Sequence, residues 1–87
     1  MTISALTAYV DRKNSFASIF GQAQLNLQNA SDRQRIANSI DSDLSPENLT
    51  CDGELPRAQV QRRYKELTAA AKQLKALDPT VNFYEYN

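Results

Sequence analysis

The stretch LSPENLTCDGELPRAQV, residues 44–60, gathers a thiol at Cys51, acids at Glu47, Asp52 and Glu54, and side-chain oxygens at Asn48 and Thr50. Nucleophilic catalysis through Cys51 or a serine would need an adjacent base. The chain has no His and Lys is the only strong base type left, so Cys51 is expected to be a small, mostly buried thiol. The pair Asp41 and Asp43 is of the type that does acid–base work, but it stands among other acids at an expected helix end and is read as a solvated cluster. No glycine-rich phosphate loop exists, because Gly21 and Gly53 are the only glycines. The chain is therefore expected not to be an enzyme and to need no cofactor.

Calcium is the remaining chemistry of this stretch. A loop beginning at Asn48 would place Thr50, Asp52, Gly53 and Leu55 at suitable positions, yet its last ligand would be Gln59, a single neutral oxygen where a bidentate Glu belongs. A loop beginning at Asp41 would put Pro46 where glycine's conformational freedom is required. With one Cys and no His there is no zinc ligand set either. No metal site is expected, and Asp52-Gly53 reads as a tight turn with Leu55 plugging the core beside it.

The elements around that turn follow from spacing. Ser45 and Pro46 form an N-cap and first helical position for one or two turns through PENLT. Pro56 opens the longest expected element, a helix over residues 56–78, along which Val60, Tyr64, Leu67, Ala71 and Leu74 repeat at 4, 3, 4, 3 as a coiled-coil-like seam. Ser31 and Gln34 match a capping box and predict a helix start at Ser31, with Ile36, Ala37, Ile40 and Leu44 as its apolar face. Nearer the N-terminus, Ile3, Leu6, Tyr9 and Val10 predict a short helix over 3–13 capped by Ser4 or Thr2. Phe16, Phe20, Ala23, Leu27 and Ala30 predict a second over 15–30, in which Gly21 is the one strong interruption. The run AQLNLQ also alternates with period two, so residues 22–28 could instead pair with 80–86 as a short antiparallel ribbon. The expected fold is one all-α domain over 1–87, a bundle of three to four helices with a long C-terminal helix; the ribbon would make it α+β.

Charge narrows the function. Ten basic and ten acidic side chains cancel, which removes the general attraction a nucleic-acid or anionic-membrane binder carries. The distribution is uneven. Residues 31–56 hold six acids against Arg33 and Arg35, a net of −4, whereas residues 57–77 hold six cations against Glu66, a net of +5. On a helical wheel Arg57, Lys65, Lys72 and Lys75 fall in one arc of about 80° beside the seam. With Arg62 they are read as candidate contacts for an acidic protein partner, and the seam residues Val60, Tyr64, Leu67 and Leu74 as the interface of a homodimer or higher oligomer. Nucleic acid or a small ligand on the basic stripe is the alternative.

The tail NFYEYN adds Phe83, Tyr84 and Tyr86, rings that cap the core or form an interface patch; Tyr84 and Tyr86 are the partner-binding candidates. No basic-then-apolar leader and no run approaching ~20 apolar residues occurs, so no membrane role and a cytoplasmic setting are expected. A Met start and a compact aromatic end suggest a complete small reading frame. Phages and other mobile elements encode many proteins of this kind. The reading is a small protein-binding module or inhibitor, acting on a host protein if it comes from such an element.

Overall fold

A computed structural model describes residues 4–86 as four helices: α1 (Ala5–Ile19), α2 (Ala30–Leu44), α3 (Pro46–Thr50) and α4 (Arg57–Leu77). Among these residues there is no strand, so the all-α expectation holds and the ribbon does not form. The proposed N-cap Thr2 and the apolar Ile3 lie outside the described residues.

The N-terminal third forms one helix where two were expected. Ser4 caps α1 by accepting the Thr7 N–H at 3.1 Å, and the helix runs unbroken past residue 13. It stops at Gly21, whose φ of 67° is open to glycine without steric cost. The Gln22 N–H reaches the Ala17 carbonyl at 2.7 Å and the Gly21 N–H reaches that of Ser18 at 3.3 Å, the paired bonds of a Schellman stop. Gly21 therefore ends α1, which is why no helix covers 15–30.

Residues 22–28 run without regular structure. Leu25 and Leu27 rest half-buried against the core, as the period-two alternation implies, but no strand lies alongside. Asn14 takes the place of one, and the Arg33 guanidinium donates to the Leu27 carbonyl at 2.9 Å.

The cap of α2 is Asn29, two residues before the expected start: its side chain accepts the Asp32 N–H at 3.2 Å. Gln34 is engaged elsewhere. Its Oε1 accepts the Asn82 N–H at 3.0 Å and its Nε2 donates to the Asn82 carbonyl at 3.1 Å. The α3 corner matches its expectation, with Pro46 in the first turn after Ser45. Cys51, Asp52 and Gly53 then turn the chain through three successive left-handed conformations, φ 49°, 57° and 84°. Cys51 is exposed rather than buried, because the turn swings it outward; from this corner Leu49, not Leu55, packs on the core.

The core forms where α2 and α4 face each other, and Ile36, Ile40, Leu74 and Val81 are its largest fully enclosed side chains. α1 lies antiparallel on α4: the Leu6 N–H donates to Gln73 at 2.9 Å at one end, and Phe16 stands beside Arg63 at the other. The tail crosses back over α2. The buried carboxylate of Asp41, 7% exposed, accepts the backbone N–H groups of Tyr84, Glu85 and Tyr86 at 2.7, 3.2 and 3.4 Å. Three donors on one carboxylate offset the desolvation that would otherwise exclude a charge there. Asp41 is thus a structural anchor, not part of a solvated acidic pair.

Candidate functional site

Along its length α1, with its C-cap Phe20, carries apolar side chains in two directions. Leu6, Tyr9 and Val10 point into the bundle, whereas Phe16, Ile19 and Phe20 point to solvent and are 63, 75 and 68% exposed. The two rings stack with centroids 6.4 Å apart and planes 16° from parallel. Together the three side chains present on the order of 400 Å² of apolar surface, the size of the largest patch on a typical monomer, which is frequently functional.

Beside this ledge, α1 and α4 frame an open cleft of about 270 Å³ whose lining includes Arg12, Phe16, Arg63 and Glu66. Its floor is a hydrogen-bonded group. The Tyr9 hydroxyl donates to Asp43 at 2.7 Å and lies 2.7 Å from Ser39 Oγ; Lys13 pairs with the same Asp43 oxygen at 3.2 Å and lies over the Tyr9 ring. Burial, reinforced by the Asp43 carboxylate, pushes the Tyr9 phenol well above its ordinary range against the opposing pull of Ser39. This tyrosine is a fixed donor and not an acid–base group at neutral pH.

The cations above that floor are less satisfied. Arg12 is exposed and forms no ion pair among the described residues. Arg63 donates one guanidinium N–H to the Asn48 carbonyl at 3.2 Å, while its buried Nε has no acceptor among the described residues.

The residues singled out by sequence fall on several surfaces. Arg57, Arg62, Lys65, Lys72 and Lys75 are all exposed, but Arg57, Lys65, Lys72 and Lys75 are turned well away from the cleft around α4. Lys75 is occupied, since its ammonium donates to the Val81 carbonyl and pins the start of the tail. Tyr84 is 88% exposed; Tyr86 is half-buried, its ring edge-on to the buried Phe83 at 5.4 Å.

The seam divides. Leu67 and Leu74, 6 and 0% exposed, are enclosed by the chain's own core and are not available to a second copy; Val60 is half-buried and only Tyr64 stands out. The seam faces inward because α1 and α2 both pack on it. Sequence reasoning singled out none of Arg12, Phe16, Ile19, Phe20, Arg63 and Glu66 as candidate site residues. The signal was present in α1: read as one helix through Ile19, its apolar positions span too wide an arc for a single buried face.

Among the described residues no cluster of His, Cys, Asp and Glu could hold a metal, and no helix is long and apolar enough to cross a membrane. No protein family, curated protein or solved structure matches this chain.

Proposed function

We propose that this chain is a non-catalytic protein-binding module, of the kind that inhibits or redirects a partner by covering its surface, and that the α1 ledge is its docking face. One observation carries the reading: Phe16, Ile19 and the C-cap Phe20 stay exposed at the end of a helix that packs on the core through Leu6, Tyr9 and Val10. Large apolar groups held out on a rigid element favour association because a partner removes them from water with little loss of conformational freedom. The basic side chains of α4 supply steering toward an acidic surface more than affinity.

The test is affinity capture from the cell that encodes the protein, comparing wild type with Phe20→Ser and Ile19→Ser. Both positions are exposed, so the helical circular dichroism spectrum is expected to be unchanged. A partner retained by wild type and lost by both variants supports the reading; a partner held equally by all three removes the ledge as the docking face.

A second reading has its own support. Arg57, Arg62, Lys65 and Lys72 are exposed without an ion pair among the described residues, which leaves them free for phosphates. Oligonucleotide binding that weakens steeply with salt and is lost in Lys65→Gln with Lys72→Gln would favour it over protein docking.

A further inference from the structure

We infer that the cleft between α1 and α4 receives a single carboxylate, from an Asp or Glu side chain that a partner protein presents beside a large apolar residue. Arg12 and Arg63 engage the carboxylate and Phe16 supports the apolar group. The inference deepens the proposed docking role and rests on it.

Charge is the first support. Lys13 and Asp43 neutralise each other on the cleft floor, and Tyr9 already donates to that Asp43. What remains is Arg12, Arg63 and Glu66, none in an ion pair among the described residues, with a net charge of +1. One carboxylate balances that charge, whereas the repeating phosphates of a nucleic acid would meet Glu66.

Unfilled donors are the second. Arg63 lines the cleft and has five N–H donors, of which one is on the Asn48 carbonyl and the buried Nε has no acceptor among the described residues, so its remaining guanidinium N–H groups are available to a carboxylate's oxygens.

Size is the third. A cleft of about 270 Å³ lies just below the range of small-molecule pockets, roughly 300–1,000 Å³, and suits one anchoring side chain with its neighbour. The apolar surface does not end there: Ile19 and Phe20 continue it along α1, which calls for a ligand longer than the cleft. A polypeptide segment meets that requirement; a small organic acid does not. A second copy of this chain is disfavoured, because a symmetric contact at the cleft would bring Arg12 and Arg63 toward their own equivalents.

The experiment is a ¹H–¹⁵N titration of the full chain with the blocked peptide acetyl-Ala-Phe-Asp-Ala-amide, its Asp-to-Asn counterpart, and 3-phenylpropionate. The Asp peptide is expected to shift the Arg63 Nε–H signal and the amides of Arg12 and Phe16 in a saturable way. The Asn peptide is expected to bind roughly tenfold more weakly, the worth of one charge-assisted hydrogen bond. Equal binding of the two peptides, or no shift with the Asp peptide at about 10 mM, a concentration that detects millimolar binding, overturns the inference. Binding of 3-phenylpropionate as tightly as the peptide overturns the polypeptide source. Arg63→Gln is expected to abolish the preference for Asp over Asn. Should that variant fail to fold, the exposed Arg12→Gln and Glu66→Gln serve instead, the first expected to weaken the Asp peptide several-fold and the second to strengthen it; no change in either overturns the assignment. Loss of the cellular partner in Phe20→Ser alongside equal Asp and Asn binding would leave the docking face standing and remove only the carboxylate.

Discussion

Asn14 holds both backbone polar groups of Leu25: its Oδ1 accepts the Leu25 N–H at 2.7 Å, and its Nδ2 donates to the Leu25 carbonyl at 2.9 Å. One amide side chain thereby offers the loop what a neighbouring strand would. Asn14→Ala leaves two part-buried groups unmatched and is expected to cost about 1–3 kcal/mol in chemical denaturation. Asn14→Asp keeps the acceptor but turns a carboxylate toward the Leu25 carbonyl, and should cost at least as much. A cost below about 0.5 kcal/mol, the level of an ordinary surface change, would mean that Leu25 and Leu27 hold the loop by packing alone.

Asp41 is expected to govern the tail. Asp41→Ala removes the common acceptor of three N–H groups and should accelerate amide hydrogen exchange at Tyr84, Glu85 and Tyr86 well beyond any change in α4. Asp41→Asn, which retains one oxygen, should fall between. Unchanged protection in the Ala variant would show that Phe83 packing fastens the tail by itself.

Acid should weaken the junction between α2 and the end of α4. Hydrogen bonds from Thr80, its hydroxyl first, and the Arg33 guanidinium lower the Asp78 carboxyl from 3.8 to about 2. A carboxyl depressed in the folded state adds stability that is present above its unfolded value and is lost as pH falls from about 4 toward 2. The urea midpoint of wild type is expected to drop across that window. Asp78→Asn should flatten this part of the drop and Thr80→Val should reduce it; a wild-type slope retained in both would assign it to other carboxylates.

At the alkaline end the sign reverses. The Tyr9 phenol is raised above its ordinary value of 10.0, so its contribution is complete below pH 10 and declines as pH rises beyond it. Tyr9→Phe is expected to lose about 1–2 kcal/mol at neutral pH, where the hydroxyl group with Ser39 and Asp43 is intact, and to flatten the alkaline decline. Denaturation followed by circular dichroism from pH 8 to 11 reads both effects.

The two halves of the α4 seam should respond differently. Leu74 is fully enclosed, and Leu74→Ala is expected to cost about 2–5 kcal/mol as a cavity-forming change. Tyr64 is 55% exposed, and Tyr64→Ala should cost under about 1 kcal/mol. Equal costs would indicate that Tyr64 is covered in solution by a second copy, which sedimentation of wild type would then show.

Local rules recovered the elements whose determinants are local. The proline-opened helix expected over 56–78 occupies Arg57–Leu77, and the Ser45-Pro46 corner starts where its cap demands. They failed where a side chain serves a distant strand of backbone. Gln34 has the spacing of a capping box, but its amide is committed to Asn82, 48 residues away, and Asn29 caps α2 in its place. The alternation around Leu25 and Leu27 was a true sign of one buried face, yet its partner was the side chain of Asn14 rather than another strand. The basic stripe was legible as exposed charge. The ledge was not, because placing a helix break near residue 13 divided Phe16, Ile19 and Phe20 from the core positions that reveal them as a second face.

The Asp41 fastening also orders events during synthesis. At about 5–20 residues per second, the ribosome adds residues 84–86 roughly 2–8 seconds after completing α2. Throughout that interval Asp41 lacks its three donors, and Ile36 and Ile40 lack the α4 and tail residues that enclose them. The face of α2 that carries Ile36 and Ile40 therefore gains its native cover only after α4 and the tail have been made.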